Sequence, residues 1–284
     1  MDTSTFRTSP IAQFAKRKIG KLLCTPSKSF VFVATTGRSG SKTLYELCRT
    51  IPSCAAFHEP IPKMNADVLH DFNGYREQKM WFYFKDFKLP AIYKASIQKK
   101  WYIETNHAFI KCFADAAVKE FGNRLKVIHL VRDRHEVAKS FLYRGSIPGK
   151  KCKRGDWVLE PYAPRNIIRF DKLELQNPNF KHPYLKCLWY WYEIEARTRQ
   201  FIRLNPNVLI YKLRTEDLNN LEILIPAFEE IFEGFDRQTL IQKVGVRANK
   251  SQLKPKFPDD ISKSLIKDFD LACEEQLEML SSVF

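Results

Sequence analysis

The chain has 284 residues, 44% of them hydrophobic, enough for one large core, and no Gly/Ser linker, internal repeat or low-complexity stretch divides it. Its 7 scattered cysteines contain no C-x-x-C pair, which argues against a zinc knuckle or a disulfide framework and suits a reducing, cytosolic compartment; no apolar run nears the roughly 18 residues of a membrane span, and no signal-peptide core is present. Lys and Arg number 47 against 32 Asp and Glu, and the resulting net charge of +15 points to an anionic acceptor, an anionic membrane or nucleic acid.

The first patterned segment is basic. Lys16, Arg17, Lys18 and Lys21 alternate with Ile11, Phe14, Ile19 and Leu22. This predicts a short amphipathic helix over 11–23 that packs on its own domain or makes a peripheral membrane contact. Phe30–Val33 then reads as a buried parallel strand, apolar on both faces. The loop after it, Thr36–Thr43, carries Gly37 and Gly40, which let the backbone turn tightly and approach a ligand. Arg38 and Lys42 add positive charge, and Ser39, Ser41 and Thr43 add hydroxyls. A helix with Leu44, Leu47, Cys48 and Ile51 on one face follows, and its open N–H groups would attract an anion to the loop. The ATPase pattern G-x-x-x-x-G-K-[ST] is not met, because Thr36 and Ser41 stand where its two glycines belong.

Cys54–Pro60 reads as a short strand ending on the polar pair His58 and Glu59, and Trp101–Asn106 leads into a helix with Ile110, Phe113, Ala117 and Phe121 on one face. Leu125–Val131 is another buried strand. Arg132 sits at its carboxyl end, where ligands of parallel sheets bind, and Asp133 caps the next helix with Glu136 as reciprocal partner. Val137 and Phe141 face the core from that helix, and Ser140 lies two turns in, placed to meet the same anion as Arg132. The stretch Arg144–Arg154, with Lys150, Lys151 and Lys153, is a basic loop. A long helix starts near Pro183 with Leu185, Leu188, Tyr192 and Ala196 inward, and its Trp189–Tyr192 cluster suits packing. A further strand is predicted at Asn207–Lys212. Strands alternating with helices predict an α/β fold: three layers, a central parallel sheet flanked by helices, of P-loop nucleotide-binding type. The expected organisation is a basic extension over 1–28 and a single domain over 29–284.

Taken as an ordered pair, Thr36–Thr43 and the R-x7-S spacing of Arg132 and Ser140 resemble the PAPS-dependent sulfotransferases, closest in motif style to bacterial and carbohydrate-acting members. The resemblance implies transfer of a sulfuryl group from 3'-phosphoadenosine 5'-phosphosulfate (PAPS) to a hydroxyl or amine, leaving adenosine 3',5'-bisphosphate and needing no metal. It implies that Gly37, Arg38, Ser39, Gly40, Ser41, Lys42 and Thr43 hold the 5'-phosphosulfate, with Arg38 also neutralising charge on the leaving group. Lys42 departs from the Ser or Thr of many members. Arg132 and Ser140 would hold the 3'-phosphate, and Arg247, in a late basic loop over 244–250, would close on the nucleotide. Relatives place a base where His58 and Glu59 stand; Glu59 is the first choice and His58 the second. The acceptor, a small molecule or a carbohydrate with the charge balance favouring an anionic one, stays open, as does the oligomeric state. Two other classes compete: a P-loop kinase or other nucleoside triphosphate enzyme using Lys42 and Thr43, and a non-catalytic binder of an anionic polymer or membrane. No nucleic-acid motif is present, so no nucleic-acid partner is expected.

Overall fold

The computed structural model describes residues 28–150, 157–244 and 255–282, with Ala15 and Lys18 besides. Most of the basic pattern over 11–23, the lysines Lys151 and Lys153, and Arg247 with its loop from 245 onward lie outside the described residues.

The apolar run at the front forms β1, Ser29–Ala34, and it is buried from Phe30 to Ala34. Around it run β2 (Cys54–His58), β3 (Trp101–Thr105), β4 (Leu125–Val131) and β5 (Leu209–Arg214). The sheet order is β2-β3-β1-β4-β5, and every adjacent pair is parallel. This is the predicted α/β architecture. The strand pleat sends alternate residues to opposite faces. Phe30 and Phe32 join Tyr102, Phe121 and Val127 in one core layer, while Val31 and Val33 join Ile103, Ile128 and Leu213 in the other.

The helices that cover these layers follow the same logic. On the second face lie α1 (Ser41–Cys48), with Leu44, Leu47 and Cys48 buried, and a later helix, Leu221–Ile231, with Leu224, Ala227 and Phe228 buried. On the first face, α2 (Asp67–Asn73), α3 (Glu77–Tyr83) and α4 (Leu89–Ala95) span the stretch between β2 and β3. The helix after β3 opens with a wide turn, Phe109–Phe113, and continues as α5 (Ala114–Phe121), keeping Ile110, Phe113, Ala117 and Phe121 inward as predicted. Next come α6 (Arg134–Tyr143), α7 (Phe170–Gln176) and α8 (Pro183–Leu204); α8 buries Leu185, Leu188, Tyr192 and Ala196. The Leu221–Ile231 helix is α9, followed by α10 (Arg237–Ile241) and α11 (Lys263–Ser282).

Two strand expectations change. Trp101–Thr105 is a full strand between β1 and β2, hidden in the sequence because Glu104 and Thr105 interrupt its apolar run, yet all five residues are buried. The last strand begins at Leu209, two residues beyond the predicted Asn207, because Asn205–Val208 is taken up by a turn closed by the Val208 amide on the Asn205 carbonyl. Since every strand points the same way, the segments after β1, β2, β3, β4 and β5 all emerge on one edge of the sheet. The chain leaves β1 toward β2 on one side and later passes from β3 across β1 to β4 on the other. The strand order therefore reverses at the carboxyl end of β1, the position where open parallel sheets form their ligand crevice.

Candidate active site

The loop from Thr35 to Gly40 occupies that reversal point. Gly37 (φ 81°), Arg38 (φ 59°) and Gly40 (φ 84°) are all left-handed, so the backbone curls into the start of α1. A left-handed arginine is strained, and such strain gathers at binding sites. The curl is held from inside: the Thr36 hydroxyl lies 2.7 Å from the Gly37 carbonyl and 2.9 Å from Ser39 Oγ. Outside it, Thr215 Oγ1, just beyond β5, donates to the Ser39 carbonyl at 2.9 Å. No side chain caps the first turn of α1, and that turn holds no acidic residue. Its amides and dipole thus present a positive end to the crevice. Thr35 Oγ1 is buried in the same loop without a hydrogen-bond partner, an unsatisfied group of the kind a bound ligand supplies for.

The second predicted corner touches the first. Arg132 Nη1 donates to the Arg38 carbonyl at 2.9 Å, and Arg38 Nε donates to Ser140 Oγ at 3.1 Å. Strand β4 ends at Val131 and so delivers Arg132 to the loop, while α6, capped by Asp133 through the Glu136 amide at 2.9 Å, delivers the buried Ser140. The reciprocal half of the cap is not formed as expected: the Glu136 carboxylate turns to Arg132 Nη2 at 3.3 Å and to Lys139. Two cations outcompete one backbone amide for it. The Trp191 indole fixes the Arg132 carbonyl at 2.9 Å, so one member of the aromatic cluster on α8 serves the site as well as the core.

Glu59 and His58 end β2 on the same edge but face differently. His58 Nδ1 lies 2.9 Å from Thr105 Oγ1 and 3.1 Å from the Thr105 carbonyl, and its ring stacks on Tyr45. Glu59 adopts φ 48° and brings Oε1 to 3.3 Å from Nε2 of His107, a residue in the turn that leaves β3. The His107 ring lies against Gly37: a Cβ built on that glycine would stand 3.3 Å from His107 Nδ1. Trp157 stacks on the same ring, 4.9 Å between centroids. Lys111 Nζ reaches His107 Nδ1 at 2.9 Å, the Tyr190 hydroxyl at 2.9 Å and the Trp157 carbonyl. Tyr190 in turn donates to the Thr36 carbonyl at 3.2 Å.

Burial sets the charges in this chain of contacts. It holds His107 down at about 4, with the Lys111 charge adding to the effect, and it brings Lys111 down to about 7. Burial would push Glu59 up, but the His107 hydrogen bond and the charges of His107, His58 and Lys111 outweigh it and leave the carboxyl at about 2. At neutral pH Glu59 is therefore an anion beside a neutral imidazole.

Of the sequence-predicted residues, Gly37, Arg38, Ser39 and Gly40 form one cradle with Arg132 and Ser140. Ser41 is buried at the head of α1, Thr43 is partly buried, and Lys42 is exposed. Sequence reasoning did not find His107, Lys111, Tyr190 or Thr215. The only signal for the first two was the i, i+4 spacing of a histidine and a lysine in an otherwise apolar helix start.

No family model and no curated protein matches the chain. Among solved structures it is similar to a sulfotransferase domain from the curacin biosynthetic pathway, with 17% identity and a TM-score of 0.46 over 89% of this chain and 98% of that one. It is also similar to retinol dehydratase in complex with androsterone and the inactive cofactor PAP, with 13% identity and a TM-score of 0.39 over 93% of this chain and 85% of that one. The same enzyme in complex with retinol and PAP gives 13% identity and 0.39 over 94% and 86%.

Proposed function

We propose that this protein is a sulfotransferase moving a sulfuryl group from PAPS to a hydroxyl or amine acceptor. The observation that carries the reading is the contact between its two phosphate-suited corners, Arg132 on the Arg38 carbonyl and Arg38 on Ser140. Two arginines and a buried hydroxyl around an open helix start form one continuous anion cradle. The residues fit such a nucleotide: the uncapped amides of α1 and the orphaned Thr35 hydroxyl both suit an anionic group lying close on the backbone.

When bound, PAPS supplies the sulfuryl group and a bisphosphate that leaves. The chain supplies position and charge, which account for most of the rate in displacements of this type. The loop amides with Ser41 and Thr43 hold the 5'-phosphate end, while the Ser39 hydroxyl is spent on the Gly37 carbonyl inside the curl, and Arg38 neutralises the negative charge that builds there. Arg132 and Ser140 hold the 3'-phosphate. Glu59 is the residue assigned to the acceptor's proton. It is ionised over the whole physiological range, with His107 beside it as a hydrogen-bond donor, but its carboxyl is lowered to about 2 where a general base calls for a value raised toward neutrality, so it accepts a hydrogen bond from the acceptor more readily than it removes the proton outright. His58 remains the second choice, its Nδ1 already engaged by Thr105. The exposure of Lys42 speaks against the nucleoside triphosphate reading, in which that side chain turns onto the phosphates.

Calorimetry with adenosine 3',5'-bisphosphate tests the reading. Binding is expected for the native chain, and Arg132→Ala should weaken it by about 10–150-fold, the worth of a charge-assisted hydrogen bond of about 1.5–3 kcal/mol. Adenosine 5'-diphosphate, which lacks the 3'-phosphate, should bind more weakly to the native chain and show little response to the substitution. No heat with the bisphosphate, or an Arg132→Ala affinity equal to the native one, refutes the assignment.

A further inference from the structure

We propose that Lys111 is a positioning residue that fixes the proton of His107 on Nε2, toward Glu59, and couples that pair through Tyr190 to the anion loop. The inference rests on the sulfotransferase reading for its catalytic consequence, but not for its geometry. Below its value of about 7 Lys111 is an ammonium group, with three N–H donors and no acceptor. Here all three are spent, on His107 Nδ1, on the Tyr190 hydroxyl and on the Trp157 carbonyl. Lys111 is 0% exposed, so water offers these donors no alternative. A ring nitrogen that accepts from an ammonium carries no proton, and the single proton of a neutral imidazole then sits on the other nitrogen. That nitrogen, Nε2, is the one 3.3 Å from Glu59.

The direction continues on the far side. The Tyr190 hydroxyl accepts from Lys111 and so gives its own proton to the Thr36 carbonyl at 3.2 Å. The hydrogen bonds therefore diverge from Lys111, one branch ending at the carboxylate and the other at the backbone of the loop. The titratable and charged groups facing this chain are Glu59 and His58 from the end of β2 and Arg197 from α8, and Arg197 Nη1 donates to the Lys111 carbonyl at 3.2 Å. Glu59 is the one anion among them. A loop that shifts when it takes up an anion would pull on Tyr190 and be felt at His107, about two side chains away. Lys111 is fully buried and bonds to His107 rather than to Glu59. It acts by keeping His107 from accepting the proton meant for Glu59.

Nitrogen-15 NMR of histidine-labelled protein reads the tautomer directly. At pH 5.5, above the value of about 4 for His107 and below that of about 7 for Lys111, the native chain should show His107 as the neutral Nε2–H form, and Lys111→Met should convert it to a mixture containing Nδ1–H. Turnover in Lys111→Met should fall by about 10–100-fold in kcat, with bisphosphate affinity changed less than threefold, as expected for a misplaced rather than a missing catalytic group. Tyr190→Phe, which removes one oxygen, is the second variant should Lys111→Met fail to fold. It should keep the Nε2–H tautomer but lose the shift of the His107 resonances on adding adenosine 3',5'-bisphosphate. An Nδ1–H tautomer in the native chain, an unchanged tautomer in Lys111→Met, or an undiminished bisphosphate-induced shift in Tyr190→Phe overturns the proposal. Failure of the native chain to bind the bisphosphate overturns the functional reading instead, and leaves the tautomer result standing.

Discussion

The most demanding prediction concerns a buried ion pair that frames the turn carrying His107. Lys88, 1% exposed, lies 2.6 Å from Glu104, which is 0% exposed. The same carboxylate accepts from the Tyr102 hydroxyl at 2.6 Å and from Asn106 Nδ2 at 2.8 Å, and Asn106 Oδ1 accepts from the Ala108 amide at 2.9 Å. Removing one partner of such a pair leaves the other charge buried and unmatched, which costs about 3–5 kcal/mol. Lys88→Met should fall near the lower end, because two neutral donors still hold the carboxylate. Glu104→Gln should cost about as much, since it strands the ammonium. Combining them removes both charges. The glutamine carbonyl can keep the Asn106 contact, and its amide can donate to a Tyr102 hydroxyl that now accepts, so the double variant should lose only about 1–2 kcal/mol. Urea denaturation followed by circular dichroism measures the three differences as shifts in midpoint at constant slope. A double variant at the sum of the two single losses would show that Lys88 and Glu104 do not interact, and the account of the turn that presents His107 would fall with it.

Two further outcomes can be checked on the same instrument. Gly40→Ala should be clearly worse than Gly145→Ala: both positions are left-handed, at φ +84° and φ +65°, costing about 1–2 kcal/mol each, but only at Gly40 would the new methyl meet a neighbour, Leu218 Cδ1 at 2.9 Å. Equal losses would mean that the loop yields freely. Acid should also destabilise the fold in two stages. His107 falls from an ordinary 6.5 to about 4 on folding and Glu59 from 4.5 to about 2, so in both cases the unfolded chain takes the proton first. The contribution of His107 is complete above pH 6.5 and lost as pH drops through 4, and that of Glu59 is complete above 4.5 and lost toward 2. His107→Asn should flatten the midpoint curve between pH 6.5 and 4, and an unchanged curve there would contradict the burial of a neutral ring.

The parts legible in the sequence were those governed by short-range rules. Phe30–Val33 and Leu125–Val131 could be read as strands because every residue outside the polar exceptions had to be buried on both faces. The exceptions themselves are explained by pairing: His129 in β4 sits 3.0 Å from Glu195 of α8 and is buried there. The cradle was legible because a loop of small residues at a strand end has few uses other than close approach to a ligand, and because Arg132 and Ser140 are placed by their own strand and helix. What stayed hidden depends on contacts between residues distant in the chain. Lys111 in an apolar helix start looks like a side chain that ought to reach water, and nothing local says that a hydroxyl 79 residues later and a carbonyl 46 residues later will take its protons. Glu104 likewise looks like a break in a strand until Lys88 is seen beside it. Both lysines are buried because the fold supplies enough acceptors to replace hydration, and such matched sets carry no periodicity. The residues that one sequence conceals are thus the ones whose cost of burial is met from elsewhere in the fold. For that reason a charged side chain with its full complement of partners deep beside the crevice of this sheet is a position that strand and helix patterns pass over.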